Sequence, residues 1–221
     1  MAEAIGFDIY GTLVDPLEMN EHLKPLVGEK AARFSELWRE KQIEYTFRHG
    51  LMRRYEDFGS CTRRSLSYTA QVLDAELSGQ DQEELISEYQ NLRPFPDVIP
   101  GIRTMREAGH KLAAFSNGVE ATARTLLERA DVLPHLEDVV SVDDLKTFKP
   151  DPEVYKYLAR RLERPIEEVW LVSSNPFDVI GAKSAGMKAA WVQRRSDSVF
   201  DPWDVEPDLR VKDLEQLAEE I

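Results

Sequence analysis

The second half of the chain alternates between short apolar runs and amphipathic helical patterns, and this alternation limits the possible folds more than any other feature. It begins after three closely spaced prolines, Pro94, Pro96 and Pro100. We expect strands at 111–115, 139–142, 169–172 and 189–192, helices at 102–108, 121–130, 152–162 and 177–186, a surface loop at 196–207 and a final helix at 212–221. Strands that alternate with helices form a parallel sheet covered by helices on both faces. The sequence therefore predicts an α/β fold with a doubly wound parallel sheet.

The first strand of that sheet is predicted close to the N-terminus, where it ends in an acid. Ala4, Ile5 and Phe7 form a short apolar run, and Asp8 interrupts this run just before Gly11. In doubly wound sheets, ligands collect at the carboxyl ends of the strands, where loops supply backbone N–H donors. A carboxylate in that position is a candidate nucleophile or metal ligand.

Residues 16–93 carry helical patterns without a second strand between them. The patterns cover 29–55, 63–76 and 81–92. A block of this length is too long for a connection between a strand and the next element of a compact domain. We therefore expect two domains, a core made of residues 1–15 and 94–221 and an inserted all-helical cap made of residues 16–93.

The balance of charges argues against several classes of partner. With 28 basic and 41 acidic side chains, the formal net charge is −13, so nucleic acid and anionic membranes would be repelled. An anionic substrate would need a locally positive pocket. No apolar run approaches the ~20 residues of a membrane span, and residues 1–15 lack a basic region followed by an apolar one, so we expect a cytoplasmic protein. Cys61, the single cysteine, is expected to be a free or half-buried thiol.

Polar side chains follow the strands of the predicted sheet at four places. They are Asp8, Ser116 with Asn117, Lys149, and Asn175 with Asp178. Because the carboxyl ends of parallel strands share one edge of the sheet, residues far apart in the chain would meet in one cleft. Convergence of this kind is stronger evidence for an active site than any of these residues alone.

These residues lie in segments that resemble the four motifs of the haloacid dehalogenase superfamily. The segments read DIYGTLVD, SNG, FKPDPEVY and VSSNPFD, and a further segment, LWREKQIEYTFRHGLM, resembles the type II branch, the L-2-haloacid dehalogenases. The resemblance implies a Rossmann-like core with an inserted helical cap. It also implies an enzyme that hydrolyses short L-2-haloalkanoic acids to D-2-hydroxy acids, with no cofactor, and a homodimer formed through cap helices.

The choice of branch also has a physical basis in the sequence. Superfamily phosphatases place a second aspartate two residues after the nucleophile and hold Mg²⁺ with it, but Tyr10 stands at that position here. Asp8 and Asp178 are the only carboxylates expected in the cleft, which makes a poor cage for a cation that needs several oxygen ligands. We therefore favour a metal-free displacement at carbon. A Mg²⁺-dependent phosphatase of the same superfamily and a non-catalytic protein that binds a small carboxylate stay open as alternatives.

The residue types in the cleft indicate covalent catalysis. Asp8 would attack the carbon that carries the halogen, expel halide and remain as an ester, which water then hydrolyses. Lys149 would supply the positive charge that keeps the Asp8 carboxylate ionised in a partly dry pocket. Displacement by Asp8 is the only step at that carbon, so we expect inversion at C2.

The resemblance implies roles for further residues. Arg39 would receive the departing halide, since a guanidinium is always charged and weakly hydrated, and Asp178 would position the hydrolytic water or Lys149. The other catalytic candidates are Thr12 beside the nucleophile and Tyr155, Ser173 and Asn175 in the network around it. The other substrate-binding candidates are Tyr10 near the leaving group, Ile43, Phe58 and Phe177 around the apolar substituent, and Ser116 with Asn117 at the carboxylate of the substrate.

Overall fold

The computed structural model describes residues 2–221, and the strands in this part of the chain form one parallel sheet. The strands are β1 Ala4–Asp8, β2 Lys111–Ser116, β3 Asp138–Ser141, β4 Val169–Ser173, β5 Lys188–Val192 and β6 Leu209–Val211. They lie in the order β3-β2-β1-β4-β5-β6, and each neighbouring pair is parallel. The predicted doubly wound α/β fold is confirmed.

The helices flank this sheet or lie between β1 and β2. They are α1 Met19–Val27, α2 Ala31–Met52, α3 Phe58–Val72, α4 Gly79–Glu88, α5 Val98–Glu107, α6 Glu120–Arg129, α7 Pro152–Arg161, α8 Pro176–Ala185 and α9 Leu214–Glu220. Local sequence explains several of their starts. Asp151 caps α7 by accepting a hydrogen bond from the Glu153 N–H, with Pro152 at the first helical position. Ser78 and Asp81 form a reciprocal capping box at the start of α4.

The strand order places a crevice at the carboxyl ends of β1 and β4. Strands β1 to β3 follow one another towards one edge of the sheet, and β4 to β6 follow one another towards the other. All five residues of β1 are buried, as expected for a central parallel strand covered on both faces. Ligands of such sheets bind where the strand order reverses. Asp8 ends β1 and Ser173 ends β4, so both lie at this point.

Helices α1 to α4 all lie within residues 16–93 and pack around an aromatic cluster. The Trp38 ring lies 6.5 Å from the Phe34 ring and 5.3 Å from the Tyr89 ring. The Trp38 indole N–H donates to the Thr62 carbonyl at 2.9 Å and so joins α2 to α3. The structure thus places this helical segment between β1 and α5, and its assignment as a separate cap domain stays a prediction.

Three details differ from the sequence-based expectations. Strand β6 forms beside β5 in a region where we expected only a loop and a helix. Helix α3 begins at Phe58 rather than at residue 63, because the Asp57 carboxylate accepts from the Ser60 N–H and caps it. Cys61 is free but fully buried rather than half-buried, and burial raises the pKa of its thiol to about 12. Among residues 2–221, no helix is long and apolar enough to cross a membrane.

Candidate active site

The Asp8 carboxylate lies at the centre of a network of hydrogen-bond donors from three strand ends. Its Oδ1 accepts from the Lys149 ammonium at 3.0 Å. Its Oδ2 accepts from Thr12 Oγ1 at 2.9 Å, from Asn175 Nδ2 at 2.8 Å and from Ser173 Oγ at 3.3 Å. Only 8% of Asp8 is exposed. The donors fix the orientation of the carboxylate.

Lys149 places its ammonium between two carboxylates. Besides Asp8, the ammonium donates to Asp178 Oδ2 and to the Phe115 carbonyl, both at 2.9 Å, so all three of its protons have partners. Burial alone would lower the pKa of Lys149, but the two carboxylates outweigh it and raise the pKa above 10.5. The buried cation therefore persists throughout the neutral pH range. The backbone N–H of Lys149 donates to Asn117 Oδ1 at 3.0 Å and so joins the loop after β2 to the loop that carries Lys149.

Asp178 is fully buried in the first turn of α8. Its Oδ1 accepts from the Tyr155 hydroxyl at 2.8 Å. Burial, and to a lesser degree the negative charge of Asp8, raise the pKa of Asp178 above 3.8, although Lys149 opposes the shift. The close approach of α7 and α8 requires a glycine at position 181, since a Cβ there would overlap the Tyr155 hydroxyl. Asp178 is thus an acid held near a cation and a phenol.

The turn after the nucleophile is held by Ser174, which was not among the predicted site residues. The Ser174 N–H donates to Thr12 Oγ1 at 2.9 Å, and the Ser174 hydroxyl donates to the Gly11 carbonyl at 2.6 Å. Gly11 has φ +89°, a backbone conformation that residues other than glycine rarely adopt. Arg194 donates to the Thr12 carbonyl from Nε and Nη2, while its Nη1 donates to both carboxylate oxygens of Asp97. Ser174 lies inside the quoted fourth motif, but nothing in the sequence pattern pointed to Arg194.

Arg39 reaches the nucleophile strand from α2. Its guanidinium donates to the Tyr10 carbonyl at 3.0 Å and to Gln42 Oε1 at 2.7 Å. The Tyr10 carbonyl also accepts from Asn175 Nδ2 at 3.2 Å, so Arg39 and the Asp8 network share a partner. Within residues 2–221, Arg39 has no carboxylate within 4 Å, and both acceptors that it contacts are neutral. Its positive charge is therefore available to an anion.

Gln42 is a second residue that the sequence reasoning missed. It is fully buried in α2, and its Oε1 accepts from both Arg39 and the Tyr89 hydroxyl, the latter at 3.0 Å. Its Nε2 donates to Thr62 Oγ1 at 2.6 Å. The position of Gln42 one helical turn after Arg39 was the only available signal. Gln42 fixes the guanidinium of Arg39 relative to three helices.

Aromatic and aliphatic side chains form the wall of the site that faces the helical segment. The Tyr10 ring stacks on Tyr89 at 5.5 Å and lies 5.3 Å from the Phe58 ring. Burial raises the pKa of the Tyr10 phenol, which therefore stays protonated. Phe177 meets the edge of Phe47 at 5.1 Å. Ile43 is half-buried on α2, between the turns that carry Arg39 and Phe47.

The predicted carboxylate-binding pair lies beside this wall, at the end of β2. Ser116 Oγ accepts from the Gly118 N–H at 2.9 Å, and Asn117 Oδ1 accepts from Lys149 as described above. In the described part of the chain, neither the Ser116 hydroxyl proton nor Asn117 Nδ2 has an acceptor. Two donors are therefore free at the strand end where we predicted the substrate's acid group to bind.

The donor set does not favour a divalent cation. In residues 2–221 there is no cluster of three or more histidine, cysteine, aspartate or glutamate side chains arranged to hold a metal ion. The space between the Asp8 and Asp178 carboxylates is filled by the Lys149 ammonium. Mg²⁺ requires near-octahedral oxygen ligation, and two carboxylates with an ammonium between them supply few of the oxygen ligands that it needs.

Comparison with known proteins links this geometry to one group of enzymes. Residues 2–186 match the family model for haloacid dehalogenase-like hydrolases. The chain is 33% identical to haloacetate dehalogenase H-2 of Moraxella sp. (strain B), over 98% of this chain and 96% of that protein. It is 31% identical to an (S)-2-haloacid dehalogenase of Pseudomonas putida, over 98% and 95% of the two chains. Among solved structures, it is similar to L-2-haloacid dehalogenase of Xanthobacter autotrophicus with chloropropionic acid covalently bound, with a TM-score of 0.91, 31% identity and coverage of 99% and 98%.

Proposed function

Because this chain belongs to the haloacid dehalogenase-like hydrolase family, we propose that it hydrolyses short L-2-haloalkanoic acids to D-2-hydroxy acids through an ester on Asp8, without a metal. The observation that carries this proposal is the Lys149 ammonium between the Asp8 and Asp178 carboxylates. The ammonium places a positive charge beside the proposed nucleophile, and Tyr10 stands where the phosphatases of the superfamily carry the second aspartate that holds Mg²⁺. The relatives do not favour phosphatase activity or mere binding, because they are dehalogenases.

In the first step, Asp8 Oδ1 attacks C2 of the substrate from the side opposite the halogen. The C–halogen bonding electrons leave with the halide, and an ester forms between C2 and Oδ1. We assign the attack to Oδ1 because it has one donor, whereas three donors hold Oδ2. Backside displacement inverts C2 and converts the L configuration to the D configuration.

The halide leaves towards Arg39, whose guanidinium has only neutral partners. A guanidinium is weakly hydrated, so replacing some of its present contacts by a halide costs little free energy. Tyr10, Ile43, Phe58 and Phe177 enclose the halogen and the apolar substituent at C2. The free donors of Ser116 and Asn117 bind the substrate's carboxylate.

In the second step, water attacks the ester at Cγ of Asp8, and the bond between Cγ and Oδ1 breaks. Oδ2 carries the developing negative charge, and its donors Thr12, Ser173 and Asn175 stabilise it. Asp178 takes one proton from the water, since its raised pKa brings it closer to the operating pH. That proton passes to the departing alkoxide oxygen. The second proton goes to solvent when Asp8 returns to its carboxylate.

We further propose that residues 16–93 act as a cap, that the protein is a homodimer and that it is cytoplasmic. The cap proposal is supported by α2, which brings Arg39 to the nucleophile strand. The dimer proposal is supported by Tyr68 and Val72, which lie four residues apart on α3 with exposed apolar surface. A mass from light scattering tests the dimer. A free buried cysteine agrees with a reducing compartment.

The experiment that tests the function measures halide release from both enantiomers of 2-chloropropionate, with and without EDTA. We expect release from the (S) enantiomer only, at a rate that EDTA does not change. Phosphate release that depends on Mg²⁺, in the absence of halide release, would favour the phosphatase. Measurable binding of halogenated acids without any turnover would favour the carboxylate-binding protein.

A further inference from the structure

A groove of about 680 Å³ opens to solvent beside the proposed active site. It lies between the last turns of α2, the loop that precedes α7 and the start of α8. Its lining is mainly apolar and includes Phe47, Leu51, Phe177 and Trp203. The mechanism proposed above uses only its Lys149 and Phe177 edge, and the rest of a large apolar groove on a strongly acidic protein requires an explanation.

The rim of the groove exposes two large apolar side chains. Leu51 is 87% exposed and Trp203 is 65% exposed, and both border the same apolar groove, so together they form a patch of the kind that marks a binding site. Asp151 also lines the groove, but its carboxylate is engaged by Thr147 Oγ1 and by the Glu153 N–H. Asp201 lines the groove as well and is its one carboxylate without a partner among residues 2–221, so the groove offers mainly apolar contacts to a ligand.

The groove shares two lining residues with the site of the proposed reaction. Lys149, whose ammonium contacts Asp8, and Phe177 line both. Arg39, Ile43, Phe47 and Leu51 follow one another at four-residue spacing on α2, so each lies beside the next along a face that winds around the helix by about 40° per step. At a rise of 1.5 Å per residue, this face extends roughly 12 Å from Arg39 to Phe47 and roughly 18 Å to Leu51. The α2 face thus runs from Arg39 towards Phe47 and Leu51, which line the groove.

We propose that this groove binds the alkyl chain of 2-haloalkanoic acids longer than propionate, and that such acids are the preferred substrates. The inference rests on the proposed function, because it positions the carboxylate and the halogen at Asp8 and Arg39. The alkyl substituent at C2 then follows the α2 face past Phe47 and Phe177 towards Leu51. The occupant is an apolar chain because the groove walls are mainly apolar, and the Asp201 carboxylate on them would repel a second acid.

The test compares kcat/KM for halide release from (S)-2-bromopropionate, (S)-2-bromobutanoate, (S)-2-bromohexanoate and (S)-2-bromooctanoate. Each methylene that enters an apolar groove improves kcat/KM roughly two- to fourfold. We therefore expect a rise of about tenfold or more from propionate to hexanoate. The rise should end where the chain reaches the rim.

Gly50 provides a variant that fills the groove without disturbing the fold. It lies in the last turns of α2 and lines the groove, and a Cβ there would meet only Thr147 Oγ1, at 3.9 Å. Gly50→Leu should abolish the preference for long chains and leave the turnover of 2-bromopropionate within about twofold, since leucine also improves helix propensity. Gly50→Ala is the matched control, because its methyl group fits without filling the groove, and it should keep the chain-length profile.

The outcomes separate this inference from the proposed function. Normal turnover of 2-bromopropionate with a flat chain-length profile would overturn the groove assignment alone. An absence of halide release from every acid would overturn the proposed function, and the inference with it. Leu51→Asp provides a further test: if it converts a dimer to a monomer in light scattering and leaves the chain-length profile unchanged, the groove is an interface between two copies and the inference is wrong.

Discussion

Replacing Lys149 by methionine should both destabilise the protein and abolish turnover. The substitution keeps most of the side-chain volume, so its main effect is to remove the cation between Asp8 and Asp178, both of which are buried. Loss of one member of a buried ionic group leaves the other charges uncompensated and lowers the free energy of unfolding by about 3–5 kcal/mol. For a domain of this size, the corresponding fall in Tm is roughly 6–20 °C.

Urea unfolding at pH 7 and halide release at a temperature where the variant is folded measure the two effects. We expect turnover to fall at least about 100-fold, because the nucleophile loses its charged partner. Lys156→Met is the matched control. Lys156 is 51% exposed and pairs only with Glu153 across one helical turn, so its removal should change the free energy of unfolding by less than about 0.5 kcal/mol.

The same variant should respond to pH in a defined direction. Burial already raises the pKa of Asp178 above its ordinary value of 3.8, and Lys149 opposes that shift. A carboxyl group whose pKa is higher in the folded than in the unfolded state contributes fully to the free energy of unfolding at pH values below its unfolded-state pKa. This contribution is lost as the pH rises through the folded-state pKa. Without Lys149 the shift is larger, so the stability gap between wild type and Lys149→Met should narrow as pH falls towards 4.

A double-mutant cycle with Asp178→Asn tests whether the two residues act together. The double variant should be less destabilised than the sum of the single variants by at least about 1 kcal/mol, since asparagine removes the carboxylate that Lys149→Met leaves uncompensated. Two results would refute the reasoning. One is a Lys149→Met variant as stable as the Lys156→Met control, and the other is strict additivity in the cycle.

Two further predictions follow from the site. Gln42→Leu removes the acceptor of Arg39 and Tyr89 and should lower the free energy of unfolding by about 1–3 kcal/mol; kcat for halide release should fall roughly tenfold or more, and a variant with unchanged kcat would show that Gln42 does not position Arg39. Because the pKa of Lys149 is raised above 10.5, its stabilising contribution is present below that value and is lost only as pH rises through the raised pKa. A profile of kcat/KM against pH should therefore show no alkaline fall assignable to Lys149 below pH 10.5, and an NMR titration in which the Lys149 ammonium loses its proton below that pH would contradict the buried ion pair.

The fold could be predicted from the sequence because its main signals are local. Apolar strands and capped helices alternate after residue 100, and β1 is an apolar run that ends in Asp8. Strand β6 was missed because it has three residues, of which Arg210 is exposed, and follows a proline-rich loop. Its conformation is fixed by pairing with β5, in which Trp191 lies opposite Arg210. Such a strand depends on its neighbour and leaves little trace in the local pattern.

The site could be predicted in part for a related reason. Parallel strands bring their carboxyl ends to one edge whatever the details of packing, so Asp8, Lys149 and Asp178 were expected to meet, and they do. Gln42 and Arg194 depend instead on how distant segments pack against each other. Gln42 becomes part of the site only because α3 and α4 bring Thr62 and Tyr89 to it. No spacing along the chain encodes that arrangement, and the functional roles of all these residues stay predictions until they are measured.

The most direct test of the central claim is a single turnover of (S)-2-chloropropionate in H₂¹⁸O with enzyme in excess. If Asp8 forms the ester and water attacks its carbonyl carbon, the lactate of the first turnover is unlabelled and one ¹⁸O enters the side chain of Asp8. Mass spectrometry of the peptide that contains Asp8 detects that label. Lactate that carries ¹⁸O after the first turnover, with an unlabelled Asp8, would contradict covalent catalysis by this residue.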